Sequence, residues 1–187
     1  MNHQPDNAIS TAAWLATTTL LTALAIPSTP VSARTADRSE RAEFRAGRST
    51  ERAGVVEFSG GFELIQGTLT VNSDSARLFR NSDGELVRIE ILGIPSEPAI
   101  WREELDDGSA LNAQAERIDY HLSDEKAVLV GQALVRKGAD EMRAETIDYD
   151  LNSQHIDAGG DDDAPVLFIY NPPSDKAAEA AEAADTP

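Results

Sequence analysis

Ala115-Glu116-Arg117-Ile118-Asp119-Tyr120-His121-Leu122 recurs 29 residues later as Ala144-Glu145-Thr146-Ile147-Asp148-Tyr149-Asp150-Leu151, with six of the eight positions identical. Within each copy apolar and polar side chains alternate, the two-residue period of a strand with one face buried. A second match, without gaps and at an offset of 71, sets Phe58, Gly60, Phe62, Leu64 and Gly67 on Leu129, Gly131, Ala133, Val135 and Gly138. It also sets Asp74 on Glu145. The repeated unit is therefore an apolar strand broken by glycine, a turn, a second strand, and a small-acidic-x-apolar opening into a third. Units of this kind stack to share a core.

Outward from the repeat, alternation continues over residues 55–170, as in Val56, Phe58, Phe62 and Leu64, then Leu69 and Val71, then Val87, Ile89 and Ile91. Turn compositions punctuate it at Ser82-Asp83-Gly84, residues 95–98, Asp107-Gly108, Ser123-Asp124-Glu125, Lys137-Gly138 and Asn152-Ser153. Asp83-Gly84 is the clearest hairpin, because glycine tolerates positive φ and apolar residues flank it on both sides. No capped helical pattern is sustained over 55–170, so the domain reads as all-β, with short antiparallel strands.

The ends differ from the middle. Residues 12–26 are mostly apolar and are followed by Pro27, Pro30 and Val31-Ser32-Ala33, which reads as an export signal cleaved before Arg34. No basic residue precedes this run, a departure from the usual signal. Fifteen residues reach only about 22 Å as a helix, short of the ~30 Å hydrocarbon core, which argues against a permanent anchor. Arginine stands at 34, 38, 41, 45, 48 and 52, in steps of four and three. That spacing fits one face of a helix, while the offset of 71 equally permits a strand pair at the leading edge of the domain. We expect a signal peptide over 1–33, an Arg-rich segment over 34–54, a β-domain over 55–173, and an acidic, Ala-rich disordered tail over 174–187.

The chain of 187 residues has a formal charge of -17, and -16 once residues 1–33 and with them Asp6 are removed. Such a charge repels nucleic-acid phosphates, and no basic groove offsets it. Without cysteine there is no disulfide, thiolate metal site or cysteine nucleophile. His121 and His155 lack a second ligand at zinc-helix spacing, and Asp161-Asp162-Asp163 lacks the loop and closing Glu of a calcium site. Ser59 sits in Phe-Ser-Gly-Gly, which is no nucleophile elbow. Asp119 and Asp148 alternate away from the repeated Ile and should face water rather than form a catalytic pair. No cofactor and no enzymatic activity are expected. A β-solenoid carbohydrate-binding protein or enzyme is the weakest alternative, since no carboxylate pair suits it.

Phe58-Ser59-Gly60-Gly61, Gln66-Gly67-Thr68-Leu69, Asn72-Ser73-Asp74, Val128-Leu129-Val130-Gly131 and a closing apolar run over 166–170, in this order, resemble the LptA family, also called OstA-like proteins. The resemblance covers roughly residues 40–173. It implies a slightly twisted β-jellyroll of about sixteen short antiparallel strands with an apolar interior. It further implies a periplasmic carrier of lipopolysaccharide, held by its lipid A moiety. Such a carrier would associate head to tail with itself and with LptC-like and LptD-like jellyroll domains at the two membranes. An inner-membrane-anchored, LptC-like adaptor is the alternative. Alternation and repeat register select Phe58, Phe62, Leu64, Leu69, Val71, Leu78, Ile89, Ile91, Leu129, Val135, Ile147 and Tyr149 as residues facing that interior. Arg38, Arg41, Arg45 and Arg48 are the candidates for an anion or partner contact.

Overall fold

Each turn composition read above separates two strands in the structure, a computed structural model that describes residues 40–160 and 164–172. The strands are β1 (Glu43–Arg52), β2 (Val55–Gln66), β3 (Leu69–Arg80), β4 (Leu86–Leu92), β5 (Ala99–Glu104), β6 (Ala110–Ala115), β7 (Arg117–His121), β8 (Lys126–Lys137), β9 (Asp140–Asp150), β10 (His155–Gly159) and β11 (Leu167–Ile169). All are antiparallel members of one hydrogen-bonded sheet. The β1–β2 hairpin turns on two residues, Ala53 and Gly54, both at positive φ, the geometry that matches the twist of paired strands.

The sheet folds over on itself because its long strands shift register or change partner midway. In β2, residues 55–59 pair with 75–79 of β3, and residues 62–66 with 69–73. On its other edge β3 offers residues 75–80 to β4 but residues 70–72 to β5. β4 then pairs with β7, and β5 with β6. β8 collects both branches, residues 126–130 against β7 and 134–137 against β6. β9 extends the division, lying along the whole of β8 and carrying β10 on residues 146–150 and β11 on residues 141–143. One layer thus runs through β4, β7 and β10, the other through β5, β6 and β11. Counted by partner, the eleven strands are sixteen segments, eight to a layer, which is the number the resemblance implies.

The glycines that the repeat aligns mark the crossing points. Gly60 and Gly61 have φ of 78 and 87, and Gly131 has 81, each at a register shift where its strand leaves one layer for the other. A bulge there re-aims the strand without breaking it. Asp74, Glu116 and Glu145, the acidic positions of the repeat, stand at the corresponding crossings of β3, between β6 and β7, and of β9. Chain crossings therefore line one margin of the fold. The opposite margin carries the hairpin turns.

Between the layers lies one core, in which Val71, Ile91, Ile118 and Ile147 are fully buried. Each such side chain contributes about 1.5–3 kcal/mol by leaving water. Among the described residues, no helix is long and apolar enough to cross a membrane.

The Arg-bearing segment resolves into the strand alternative. Steps of four keep one face of a strand as well as of a helix. The step of three from Arg45 to Arg48 spans the register shift in β1, so both point outward. Among the described residues the first strand therefore starts at Glu43, ahead of Val55; it gives β2 a partner for its outer edge, and Phe44 packs inward on the core. Residues 1–33, Arg38, Asp161-Asp162-Asp163 and the tail over 174–187 lie outside the described residues.

Candidate functional site

The candidate site is the interior between the two layers. Strand alternation turns all twelve selected residues into it. Phe62, Leu64, Leu69, Val71, Leu78, Ile89, Ile91, Leu129, Val135, Ile147 and Tyr149 are buried, and Phe58 is half-buried against them. They are not spread evenly. At the β1 end, Phe44, Phe58 and Phe62 form an aromatic group with ring centroids 5.5–6.3 Å apart. In this state the interior is packed by its own side chains as one cluster.

Toward the β9 end the interior turns polar at one point. On β5, Ala99, Trp101 and Glu103 share the inward face, so a carboxyl group occupies a core position with 8% of its surface exposed. Its Oε2 accepts a hydrogen bond from Trp101 Nε1 at 3.1 Å, and its Oε1 accepts one from the Tyr149 hydroxyl at 2.8 Å. Tyr149 belongs to the opposite layer. Trp101 also meets Tyr120 of that layer edge-on, with centroids 5.3 Å apart at 90°. The sequence reading missed Glu103, Trp101 and Tyr120. Tyr120 was signalled by its alignment with Tyr149 in the repeat, and Trp101 by its alternation with Ala99. Glu103 carries no such signal, because glutamate is ordinarily assigned to water.

A recess of about 350 Å³ opens beyond this group, where Val135, Met142, Ile156 and Phe168 meet under a rim that includes Lys137 and Glu141. Hydrogen bonds from Arg143 and Arg136 hold the Glu141 carboxyl below its ordinary value. Two contacts draw the turn margins together here: Gln154 Nε2 donates to Asp106 at 3.4 Å and Lys137 Nζ to Gln154 at 3.5 Å.

The outer faces look different. Asp148 is exposed, as expected, but Asp119 is 9% exposed, because the β4–β7 pairing sets it between Arg88 at 2.9 Å and Arg117 at 3.0 Å. Neither aspartate faces the other across a cleft. Of the candidate arginines, Arg41 is ion-paired with Glu43, and Arg45 with Glu43 and Glu63, both at 3.0 Å. Arg48 is exposed and makes no ion pair among the described residues. Among those residues no group of three His, Asp or Glu is placed to hold a metal ion.

Residues 45–155, which build most of this two-layered interior, match the model of the family described as LptA/(LptD N-terminal domain) LPS transport protein. The chain belongs to this family. Its relatives include the lipopolysaccharide export system protein LptA of Haemophilus influenzae, 22% identical over 63% of this chain and 68% of the relative. LptA of Escherichia coli K12 is 26% identical over 63% of each chain. LptH of Pseudomonas aeruginosa is 25% identical over 73% of this chain and 74% of the relative. The crystal structure of LptH, described as the LptA-homologous periplasmic component of a lipopolysaccharide transport device, superposes with a TM-score of 0.66. It covers 73% of this chain and 99% of that one at 20% identity, a likeness of fold. The LptA-family match begins at Arg45, inside β1, so the Arg-bearing strand falls within the family domain.

Proposed function

We propose that this chain is a periplasmic lipopolysaccharide-transport protein that shelters acyl chains between its two β-layers. The relatives named for lipopolysaccharide export support the class, and the interior supports the mode of binding. One observation carries it. The apolar positions of sixteen strand segments converge on a single inter-layer space that, among the described residues, is tied by chain crossings along one margin. The turn margin can therefore separate without breaking the sheet. An acyl chain entering there gains on the order of 0.8 kcal/mol per buried CH₂, with no chemistry required.

The ends of the sheet support a role in a bridge. Among the described residues β1 pairs only with β2, and β10 and β11 only with β9, which leaves strand edges at both ends. Val166, Leu167, Phe168, Ile169 and Tyr170 expose 39–60% of their surface around β11. Such edges can extend into a neighbouring jellyroll by strand addition, whether a second copy or an LptC-like or LptD-like module. An anchored adaptor would differ in retaining residues 1–33, and an envelope form whose intact mass begins at Arg34 supports the carrier.

The test is co-purification. The chain, expressed with its leader in a lipopolysaccharide-producing host and isolated from the periplasm, should carry lipopolysaccharide that survives high salt, since apolar burial rather than charge holds it. Protein free of lipid after isolation, and unable to take it up from micelles, would overturn the proposal.

A further inference from the structure

Gly47 stands where the repeated unit elsewhere has a glutamate. In β1, Arg45 pairs with Glu63 and Arg48 with Ser59; in β6 and β7, Gln114 pairs with Leu134 and Arg117 with Val130. The offset of 71 carries Glu63 to Leu134 and Ser59 to Val130, so Gly47 holds the place of Glu116 at the chain crossing. The Glu116 carboxyl group lies against Gly131, and its Oε1 accepts a hydrogen bond from Gln132 Nε2 at 2.9 Å. A carboxylate thus caps the bulge of β8. The bulge of β2 has no such cap among the described residues. A Cβ on Gly61 would meet no atom within 4 Å, and a recess of about 400 Å³ opens between Arg45, Gly47, Gly60, Asn72 and Ser73.

The recess also has a cation beside it. On its rim Arg45 and Glu63 balance each other at 3.0 Å. Arg48, next to Gly47, makes no ion pair among the described residues, because β1 has Thr50 where Arg117 meets Asp119 at 3.0 Å. The chain itself carries acids suited to such a place: Asp175, Glu179, Glu182 and Asp185, against the single Lys176, within residues 174–187. Asn171 donates to Asp140 at 3.0 Å and to the Ala139 carbonyl at 2.6 Å, so that segment starts at the β11 end of the sheet. From there β9, β8, β6, β5, β3 and β2 separate it from β1 of the same copy, a span of ~34 Å at ~4.8 Å per strand. A copy whose β1 adds beside β11 brings its recess within about two strand spacings. Resting on the strand-edge bridge proposed above, we propose that the β1–β2 crossing is a carboxylate-binding site, filled by an acidic side chain from residues 174–187 of a second copy. The recess lies at one end of the sheet and the acids at the other, so the contact fixes the order in which copies join.

The experiment titrates the full chain into a fluorescent peptide of residues 174–187 and follows its anisotropy, beside sedimentation of the full chain alone. Wild type should bind the peptide, less tightly as salt is added, and should not bind a version with Asn and Gln in place of its acids. Gly47→Glu supplies the carboxylate from within, as Glu116 does at Gly131, and should abolish peptide binding and weaken self-association several-fold. Arg48→Gln, at an exposed position, should weaken both about three-fold, the scale of one exposed ion pair. It keeps the proposal testable if a Cβ at Gly47, 2.9 Å from the Gly60 carbonyl oxygen, prevents folding. No binding of the peptide, equal binding of its neutral version, or values unchanged by Arg48→Gln or by a folded Gly47→Glu overturns the proposal, and a wild-type chain that still self-associates then keeps the bridge. A wild-type chain that stays monomeric at every concentration removes the bridge and the proposal with it.

Discussion

Gly131 in β8 holds the place of Gly60 in β2: both lie in the left-handed region, at φ of 81 and 78, and both mark the point where a strand passes between layers. Their surroundings differ. A Cβ on Gly131 would meet Glu116, with Oε2 at 2.7 Å and Cβ at 3.0 Å, whereas the nearest atom to a Cβ on Gly60 is the Gly47 Cα at 3.7 Å.

Alanine at either glycine therefore carries the left-handed strain of about 1–2 kcal/mol. Gly131→Ala should lose more than Gly60→Ala in urea unfolding, and Glu116→Ala, which removes the Oε2 and Cδ contacts but keeps Cβ, should recover part of the excess in the double variant. Equal losses, or no recovery, would show that the crossing at Gly131 is looser than described.

These glycines also show what the sequence makes legible. Their alignment at an offset of 71 revealed a repeated unit, and alternation set all twelve interior candidates on the face that packs between the layers, because a two-residue period leaves no third choice. Partner exchange within a strand is not written in any local pattern. Eleven continuous strands and sixteen segments are the same residues viewed by backbone or by pairing. The Arg stripe was ambiguous because a bulge can mimic a helical step of three. Glu103 was invisible for a physical reason: its burial depends on Trp101 and on Tyr149, 46 residues away, and on no neighbour that composition can flag.

The interior candidates should not be equal. Ile147 is fully buried while Phe58 is half-exposed at the β1 end. Ile147→Ala should cost about 2–5 kcal/mol, with a smaller loss for Phe58→Ala, measured by denaturant midpoints. A larger loss at Phe58 would relocate the centre of the core toward β1.

Glu141 gives a pH dependence whose sign is fixed. Hydrogen bonds from Arg143 and then Arg136 lower its folded-state pKa, so its contribution is complete above the unfolded value, near ~4. It is lost as pH falls through the lower folded value. The stability difference between wild type and Glu141→Gln should be greatest at neutral pH and shrink toward zero once the pH has fallen below the lowered folded-state value. A difference that grows on acidification would contradict the ion-pair geometry.

β11 is predicted to matter for association more than for folding. Phe168 is 56% exposed on a three-residue edge strand, so Phe168→Asp should leave the unfolding midpoint within about 0.5 kcal/mol of wild type. The same substitution should weaken concentration-dependent self-association in sedimentation by several-fold. A chain that stays monomeric at high concentration before any substitution would remove the head-to-tail bridge from the account.

The most direct measurement of the central claim is photo-crosslinking in living cells from a benzophenone side chain placed at single positions. Leu64 and Ile147, which face the inter-layer space, should yield lipopolysaccharide adducts. Arg77 and Asp148, on the outer faces, should yield none. Adducts from the outer positions with silence from the inner ones would place the lipid on the surface of the sheet and contradict the account.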